Sequence, residues 1–574
     1  MKLTISKSKN SEQLYICKSY RNASGKSTSK IIEKLGTMES LLPMHNNDRE
    51  QVIMWGREKA KEMTRAEKKS SLEIAIKVSE KTLNDKDKEM RFNCGYLFLK
   101  QLYHELKLDD ICKEIQKQYK TEYNLSEILE MLIYTRILHP TSKRASFEHA
   151  QKLLAMPSYE LHDIYRALDI LQENSDEIQS ALYKNSLNVI ERDNSVLFYD
   201  CTNFFFEIEE EKGMRKYERS KEHRPSPIIQ MGLFTDGNGI PLAMTLFDGN
   251  KNEQPSMVPL EKKLVKDFEM SDMVICTDAG LSSNENRKFN SCASRNYVTT
   301  QSIKKLKGFL KEWALSPEGW HIGHSSDKKV YNLNDLDSET HKNTVFYKER
   351  WINENGIEQR LIVTYSLKYK LYQECIRKKQ IERAEKIVES NKKDRPNPNS
   401  ASRFVKKQKC TADGEIASKT VLSLNQDKID NESLYDGFYA VCTSLRNEAN
   451  TILNINHRRW QIEAAFRVMK TEFKSRPVFL QRDERISAHF LTCYIALLLF
   501  RILEAKLENT YTTSQIIETL RNMQLHHVEG FGYLSSYKRS DLTDTLHEKF
   551  GFRTDNQFIS NKSLKKILKC VTKP

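Results

Sequence analysis

Ser195-Val-Leu-Phe-Tyr-Asp200 is a short apolar run that ends in an acid, and Met273-Val-Ile-Cys-Thr-Asp278 repeats the pattern downstream. Runs of this length, rich in β-branched and aromatic residues, read as buried strands. Two strands that each deliver a carboxylate at their end predict a sheet whose strand ends gather distant side chains. Between them, Pro227-Ile-Ile-Gln-Met-Gly-Leu-Phe and Ile240-Pro-Leu-Ala-Met-Thr-Leu-Phe flank Asp236-Gly-Asn-Gly239, a hairpin turn signal. A helical stretch near Val258 to Phe268 precedes the second acid, and Arg295-Asn-Tyr-Val-Thr-Thr300 reads as a further strand. Strands mixed with helices place this part of the chain in the α/β class.

A third acid follows much later, in Arg459-Trp-Gln-Ile-Glu463-Ala-Ala-Phe-Arg467-Val-Met-Lys470. On a helix turning about 100° per residue, Arg459, Glu463 and Lys470 fall within about 40° of one another. Taken alone, such pairs four apart are ordinary surface salt bridges. In company with Asp200 and Asp278 they mean more. Three carboxylates are enough to hold two hard divalent cations through oxygen, with positions left for water and phosphate. Two such cations activate an attacking oxygen and stabilise the leaving oxygen of a phosphodiester.

The rest of the chain is organised around this centre. Residues 1–45 are expected to form an N-terminal β-hairpin, with Leu14-Tyr-Ile-Cys-Lys-Ser-Tyr20 and Ser29-Lys-Ile-Ile-Glu-Lys-Leu35 flanking a polar turn. Within that turn Gly25-Lys26-Ser27 suggests a phosphate-binding loop, but Tyr20 stands where the motif needs its first glycine, so an NTPase is rejected. Residues 46–190 read as helical, either helices with charged, solvated outer faces or a basic region that holds DNA, 191–301 as the first part of the core, and 302–435 as an inserted module. The insertion is expected to be partly β, with a hairpin closed around Asn355-Gly356, a basic helix from Tyr369 to Glu389 and the loop Asn391 to Ser400. Residues 436–508 would complete the core and 509–574 form a helical C-terminal region.

The composition narrows the partner class. Lys+Arg number 92 against 78 Asp+Glu, a formal net charge of +14, which favours a polyanion. Eleven scattered cysteines form no Cys-x-x-Cys pair or zinc-type cluster, and so read as reduced thiols of an intracellular protein. Met1-Lys-Leu-Thr-Ile-Ser-Lys lacks the apolar core of a signal peptide. The apolar stretch around Phe490 to Phe500 is shorter than the ~20 residues of a bilayer span and reads as a buried helix. No membrane role and a cytoplasmic location are expected.

Several blocks resemble the DDE transposases of bacterial insertion sequences, in particular the insertion-sequence-four group and its close relatives. Asp200-Cys-Thr202-Asn-Phe-Phe-Phe206-Glu207 is similar to the first-acid motif, Asp-x-Thr-x-x-x-Phe-Glu. Lys221-Glu-His223-Arg224-Pro225, then Gln230, Gly232-Leu233, Gly239-Ile-Pro241, Phe247-Asp-Gly249-Asn250 and Glu253, resemble the next blocks. Asp278-Ala-Gly280-Leu-Ser-Ser resembles the second-acid block, and Arg459-x3-Glu463-x6-Lys470 matches three of the four positions of a Tyr-x2-Arg-x3-Glu-x6-Lys signature. The signature tyrosine is replaced by Asn456. Arg476-Pro-Val-Phe-Leu and Arg485-Ile-Ser-Ala-His489 also look familial, so the resemblance runs from about Val196 to Phe500.

The resemblance implies an RNase H-like mixed-sheet core interrupted by a largely β insertion. It implies that Asp200, Asp278 and Glu463 are the catalytic acids and the ligands of two Mg²⁺ ions, with Mn²⁺ as a substitute. Water would cut at the transposon end, and the freed 3′-hydroxyl would later attack target DNA. Arg459 and Lys470 would hold phosphates near the scissile bond, joined by Arg467 and His223. The implied partner is double-stranded DNA, as terminal inverted repeats and as target, with a homodimer pairing two ends and a nucleoid-associated protein in the cell. Trp320 and Trp351 are either core residues or platforms for an extruded base. Two other readings stand beside this one: an RNase H-like nuclease without strand transfer, and a catalytically silent DNA-binding protein derived from a transposase.

Overall fold

The computed structural model describes the chain except for residues 9–10, 22–26, 71–85, 87, 156, 323–328, 391–399, 411–415 and 574. The turn carrying Gly25-Lys26 and all but the last residue of the Asn391 to Ser400 loop lie outside the described residues. The chain divides into two compact units, Met1–Lys88 and Glu89–Pro574.

The first unit is a three-stranded antiparallel sheet, β1 (Lys2–Ser8), β2 (Ser11–Arg21) and β3 (Ser27–Thr37), with a helix at Arg49–Ser70. The expected hairpin is the β2–β3 pair. β1 adds a third strand, whose Leu3 and Ile5 pack with Leu14, Met38, Leu41 and Val52 in a small core.

The second unit begins with β4 (Arg91–Asn93) and helices at Tyr96–Glu105, Leu108–Gln116, Leu125–Leu138, Lys143–Ala150, Leu161–Glu173 and Ser175–Ser186. These helices fall within residues 46–190, whose first part, to Lys88, belongs to the first unit. The central sheet follows: β5 (Val196–Phe205), β6 (Ile228–Asp236), β7 (Pro241–Asp248), β8 (Val274–Thr277) and β9 (Asn296–Thr300), then β10 (His321–Ile322), β11 (Phe346–Glu354) and β12 (Ile357–Tyr365). β13 (Val405–Cys410) and β14 (Ile416–Leu424) pair only with each other, and β15 (Phe438–Thr443) returns to the central sheet.

The nine strands run β10-β11-β12-β15-β9-β8-β5-β6-β7. β5 is antiparallel to β6 and parallel to β8, β8 is parallel to β9, and the remaining pairs are antiparallel. The fold is thus α/β with a large mixed sheet.

Two sequence expectations change here. Asp200 does not end its strand: β5 continues to Phe205, because the apolar Phe204 and Phe205 pair with Ile229 and Ile228 of β6. The 302–435 segment does not stand apart either. Its β11–β12 hairpin, closed by Asn355 at φ 54° and Gly356 at φ 78° as a tight primed turn requires, joins the central sheet through β15. The Leu367–Ser390 helix, β13, β14 and the Gln426–Ser433 helix gather instead around a small core of Ala384, Phe404, Val405, Leu422 and Ile429.

Side chains alternate across the central sheet. On β5, Leu197, Tyr199 and Cys201 face a core built with Met257, Leu260 and Leu264 of the Met257–Asp267 helix. Phe198 and Phe204 face the opposite core, shared with Ile462 and Ala465 of the Trp460–Arg467 helix and with the Asp483–Lys506 helix. That last helix is long and apolar enough to cross a membrane by length and composition, but 89% of its apolar window is buried inside the protein. It is the buried helix the sequence suggests. The C-terminal region, expected to be helical, carries helices at Thr513–Asn522, Asp541–Phe550 and Asn561–Val571. It also carries β16 (Gln524–Val528), β17 (Gly532–Ser535) and β18 (Phe558–Ser560), which form a small sheet with β4 in the order β18-β17-β16-β4.

Candidate active site

Strand register brings the first two acids together. β5 and β8 run parallel with Val196 opposite Val274, Leu197 opposite Ile275 and Phe198 opposite Cys276. Two residues further along each strand direction stand Asp200 and Asp278, on the face that Phe198 and Cys276 present to the Trp460–Arg467 helix. Neighbouring strands lie about 4.8 Å apart, so this register sets two carboxylates side by side.

Each is fixed locally. Asp200 accepts the Cys201 N–H at Oδ1, 2.7 Å away. Asp278 stands just past Thr277, where β8 ends, and its Oδ1 accepts the N–H groups of Gly280 (2.9 Å) and Leu281 (3.0 Å). That short side-chain turn is why an aspartate suits the position.

The electrostatics follow. Desolvation, reinforced by the charge of Asp278, pushes the Asp200 carboxyl up to about 6, although Lys221, the Cys201 N–H and Arg459 oppose the shift. Lys221 donates from Nζ to the Cys201 carbonyl at 2.6 Å and pairs with Glu253 at 3.1 Å. Two like charges held together with hard oxygen donors are a setting that a divalent cation relieves.

The third acid is differently placed. Glu463 is exposed in the first turn of its helix and pairs with Arg459 at 3.3 Å. Both line a cleft of about 860 Å³ with Trp460, Asn456 and Tyr439. Among the described residues, no group of three or more His, Cys, Asp or Glu side chains lies close enough to hold one metal ion. Asp200 and Asp278 are therefore gathered. Glu463 is linked to them through Arg459, which lies in the field of Asp200.

The predicted basic residues fall in three places. Lys470 lies in a π-helical turn, Val468–Glu472, its Nζ 3.2 Å from Glu222 and 5.3 Å from the Phe204 ring centre. Burial and Lys221 lower its ammonium to about 8, against the pull of Asp200. His223 sits at a positive φ of 56° and lines a second cleft of about 550 Å³ with Asn203, Lys221, Glu253 and Gly280. Arg467 is exposed at the end of the Glu463 helix, beyond both clefts.

Three residues gain roles that the sequence does not announce. Glu222 ties Lys470 to Arg476, pairing with both. Lys221 is a cation in the field of Asp200. At the departed signature position, Asn456 donates from Nδ2 to the Tyr439 hydroxyl at 2.9 Å, which also lies 2.7 Å from the Thr300 hydroxyl. A phenol from β15 thus stands in the cleft beside Arg459 and Glu463. Of the two tryptophans, Trp320 is fully buried and donates to the Ser316 carbonyl at 3.0 Å, so it is core. Trp351 is exposed on β11.

Lys470 yields a prediction. It is charged below about 8 and neutral above, so a phosphate contact made through it would weaken as pH rises through that value. DNA affinity of the metal-free protein should fall between pH 7 and 9, and Lys470→Arg should flatten the profile. Titrating a labelled duplex at each pH checks it. Parallel profiles for the two proteins would exclude Lys470 as the titrating contact.

The family model for the transposase DDE domain matches residues 193–499, more than half of the chain. No curated protein matches it. Among solved structures, the chain is similar to a piggyBac transposase synaptic complex with hairpin DNA studied by cryo-electron microscopy, at 10% identity over 83% of this chain and 84% of that one, with a TM-score of 0.36. A second is a Mos1 transposase paired-end complex with the left transposon end, at 11% identity over 40% of this chain and 63% of that one, with a TM-score of 0.13. The matched residues span all three acids and the sheet that carries the first two, and by this match the chain belongs to the transposase DDE domain family.

Proposed function

We propose that this protein is a DDE transposase of the insertion-sequence-four type, cutting DNA at transposon ends and joining the freed 3′ end to target DNA. The observation that carries this reading is the shared register of Asp200 and Asp278 on the face covered by the Glu463 helix. An RNase H-like core is the corresponding fold reading. The β7-β6-β5-β8-β9 order, antiparallel on one side of β5 and parallel on the other, supports it.

Asp200 and Asp278, joined by Glu463, are the residues that would hold divalent ions, two Mg²⁺ or their Mn²⁺ substitutes. Bound there, such ions would activate the attacking oxygen and offset charge on the leaving oxygen. The chain's own cations do the rest. Arg459 keeps the Glu463 carboxylate directed and offers a guanidinium to a phosphate oxygen. Lys470, poised by Glu222, presents an ammonium close to Asp200. Lys221 limits the repulsion around Asp200 until a cation arrives. His223 in the second cleft and Arg467 at the exposed end of the Glu463 helix are further DNA contacts in this reading.

The net charge of +14 supports double-stranded DNA as the partner, and pairing of two ends calls for a homodimer in a nucleoid-associated, cytoplasmic setting. A joining assay with DNA carrying the element's own ends and a supercoiled target tests the reading. Mg²⁺-dependent cleavage followed by covalent joining is expected. Cleavage without joining would favour a nuclease, and end binding without cleavage a silent DNA-binding protein.

A further inference from the structure

A cleft of about 640 Å³ is lined by the end of the Leu125–Leu138 helix, the start of the Lys143–Ala150 helix and the 474–480 segment. Arg136, Lys143, Arg144, Lys474 and Arg476 line it, and no Asp or Glu does. Most of these cations are engaged. Arg136 donates to the carbonyls of Phe473 and Thr141, each at 3.1 Å, Arg476 pairs with Glu222, and Arg144 reaches Glu148 at 3.7 Å on the surface.

Lys143 differs. Its residue is only 5% exposed, yet it has no hydrogen-bond or ion-pair partner among the described residues. Burial and the neighbouring Arg136 lower its ammonium to about 7, and the buried His489 feels both cations and is held well below its ordinary value by burial first. A buried cation without a counter-charge is costly to the fold. It also stands at the positive end of a helix whose Ser142 cap takes the Ala145 N–H at 3.3 Å. Cation, helix end and the absence of acids all ask for an anion.

The walls say which kind. Pro140, Tyr165, Pro477 and Phe479 supply ring surfaces, and Phe479 is 67% exposed. Cations and an exposed aromatic ring lining one cleft suit a nucleotide, with the phosphate on the cations and the base against the ring. The cleft also connects to the acids, because Arg476 shares Glu222 with Lys470.

We propose that this cleft holds one nucleotide of a single-stranded DNA segment, its phosphate on Lys143 and Arg144 and its base against Phe479. The inference rests on the transposase reading, since it needs DNA at the neighbouring acids.

The test uses the full chain, a fluorescein-labelled duplex of mixed sequence, and the same duplex with a single-stranded oligothymidine tail. Binding is read by anisotropy across a salt series for wild type, Lys143→Met and Phe479→Ala. Phe479→Ala should weaken binding of the tailed duplex about fivefold or more and leave the blunt duplex unchanged. Lys143→Met should lower the slope of log affinity against log salt by about one. It should also melt at or above the wild-type temperature, because it removes an unpartnered buried charge. A Lys143→Met protein that melts lower marks a structural lysine and counts against the proposal, whatever its DNA binding. Wild-type affinity and slope for the tailed duplex in both variants would overturn the proposal while leaving the transposase reading intact. Equal loss on blunt and tailed DNA in Phe479→Ala would overturn the base contact. Failure of wild type to bind either DNA would overturn both readings together.

Discussion

Asp200→Asn is expected to lower metal-dependent DNA cleavage by more than about 100-fold, beyond what loss of an outer-shell partner costs a metal site. The substitution keeps the size of the side chain and the Cys201 N–H contact at Oδ1. It removes one of the two charges that register sets side by side. The same change should make the metal-free protein more stable. The Asp200 carboxyl is held up near 6, above its ordinary 3.8, so the folded state disfavours its charge at neutral pH. The sign follows: wild-type stability from this group rises as pH falls through about 6, and the asparagine variant loses that dependence. Mg²⁺ should raise the melting temperature of wild type and leave Asp200→Asn nearly unmoved. Thermal melts at pH 5 and 7.5, with and without Mg²⁺, check all of this. An equal Mg²⁺ shift in both proteins would remove Asp200 from the ion site.

Arg192→Met is expected to destabilise the fold by about 3–5 kcal/mol, the cost of leaving a buried charge without its partner. Arg192 and Asp236 are both fully buried and meet at 2.7 Å. The guanidinium also donates to Ser186 Oγ (2.8 Å), the Ile240 carbonyl (2.9 Å) and the Pro241 carbonyl (2.8 Å). Asp236 Oδ1 in turn accepts the N–H groups of Asn238 and Ile240, each at 2.9 Å. One arginine thus joins the Ser175–Ser186 helix to the β6–β7 turn and holds that hairpin against β5, the strand of Asp200. Methionine fills the volume but satisfies none of the four acceptors. Urea titration followed by circular dichroism reads the loss. The double variant Arg192→Met/Asp236→Asn should recover part of it, since no unpaired charge remains. A single variant as stable as wild type would show that the pair contributes little to the fold.

The contrast between these residues shows what the sequence makes legible. Apolar runs and turn chemistry are local, so β5, β8, β9 and β15 and the hairpins at Asp236–Gly239 and Asn355-Gly356 can be read directly. The Asp200 and Asp278 motifs are legible for the same reason. Pairing partners are not local. Nothing in Gln524-Leu-His-His-Val528 announces that it will pair with Arg91–Asn93, so the C-terminal region reads as helical although three of its strands form a small sheet with β4. β1 is missed because Lys2 to Ser8 is mostly polar and gains its apolar contacts from residues outside the strand, Leu14, Met38, Leu41 and Val52. The end of β5 is misplaced because an acid looks like a terminus, while Phe204 and Phe205 have partners that only tertiary structure supplies. The 302–435 segment reads as a module because the break in rhythm is visible and the β12–β15 pairing is not. At the site, Lys470 is named by spacing, but its partner Glu222 lies far upstream and only the fold joins them.

Glu463 is where local signal and tertiary placement meet, because its helix lies over the acid pair while its carboxylate rests on Arg459. The most direct measurement compares wild type with Glu463→Gln on DNA carrying the element's own ends, scoring Mg²⁺-dependent cleavage and end binding in the same reactions. The account predicts that cleavage disappears in the variant while end binding is retained. Equal cleavage by both proteins would take Glu463 out of the site and contradict the three-acid reading.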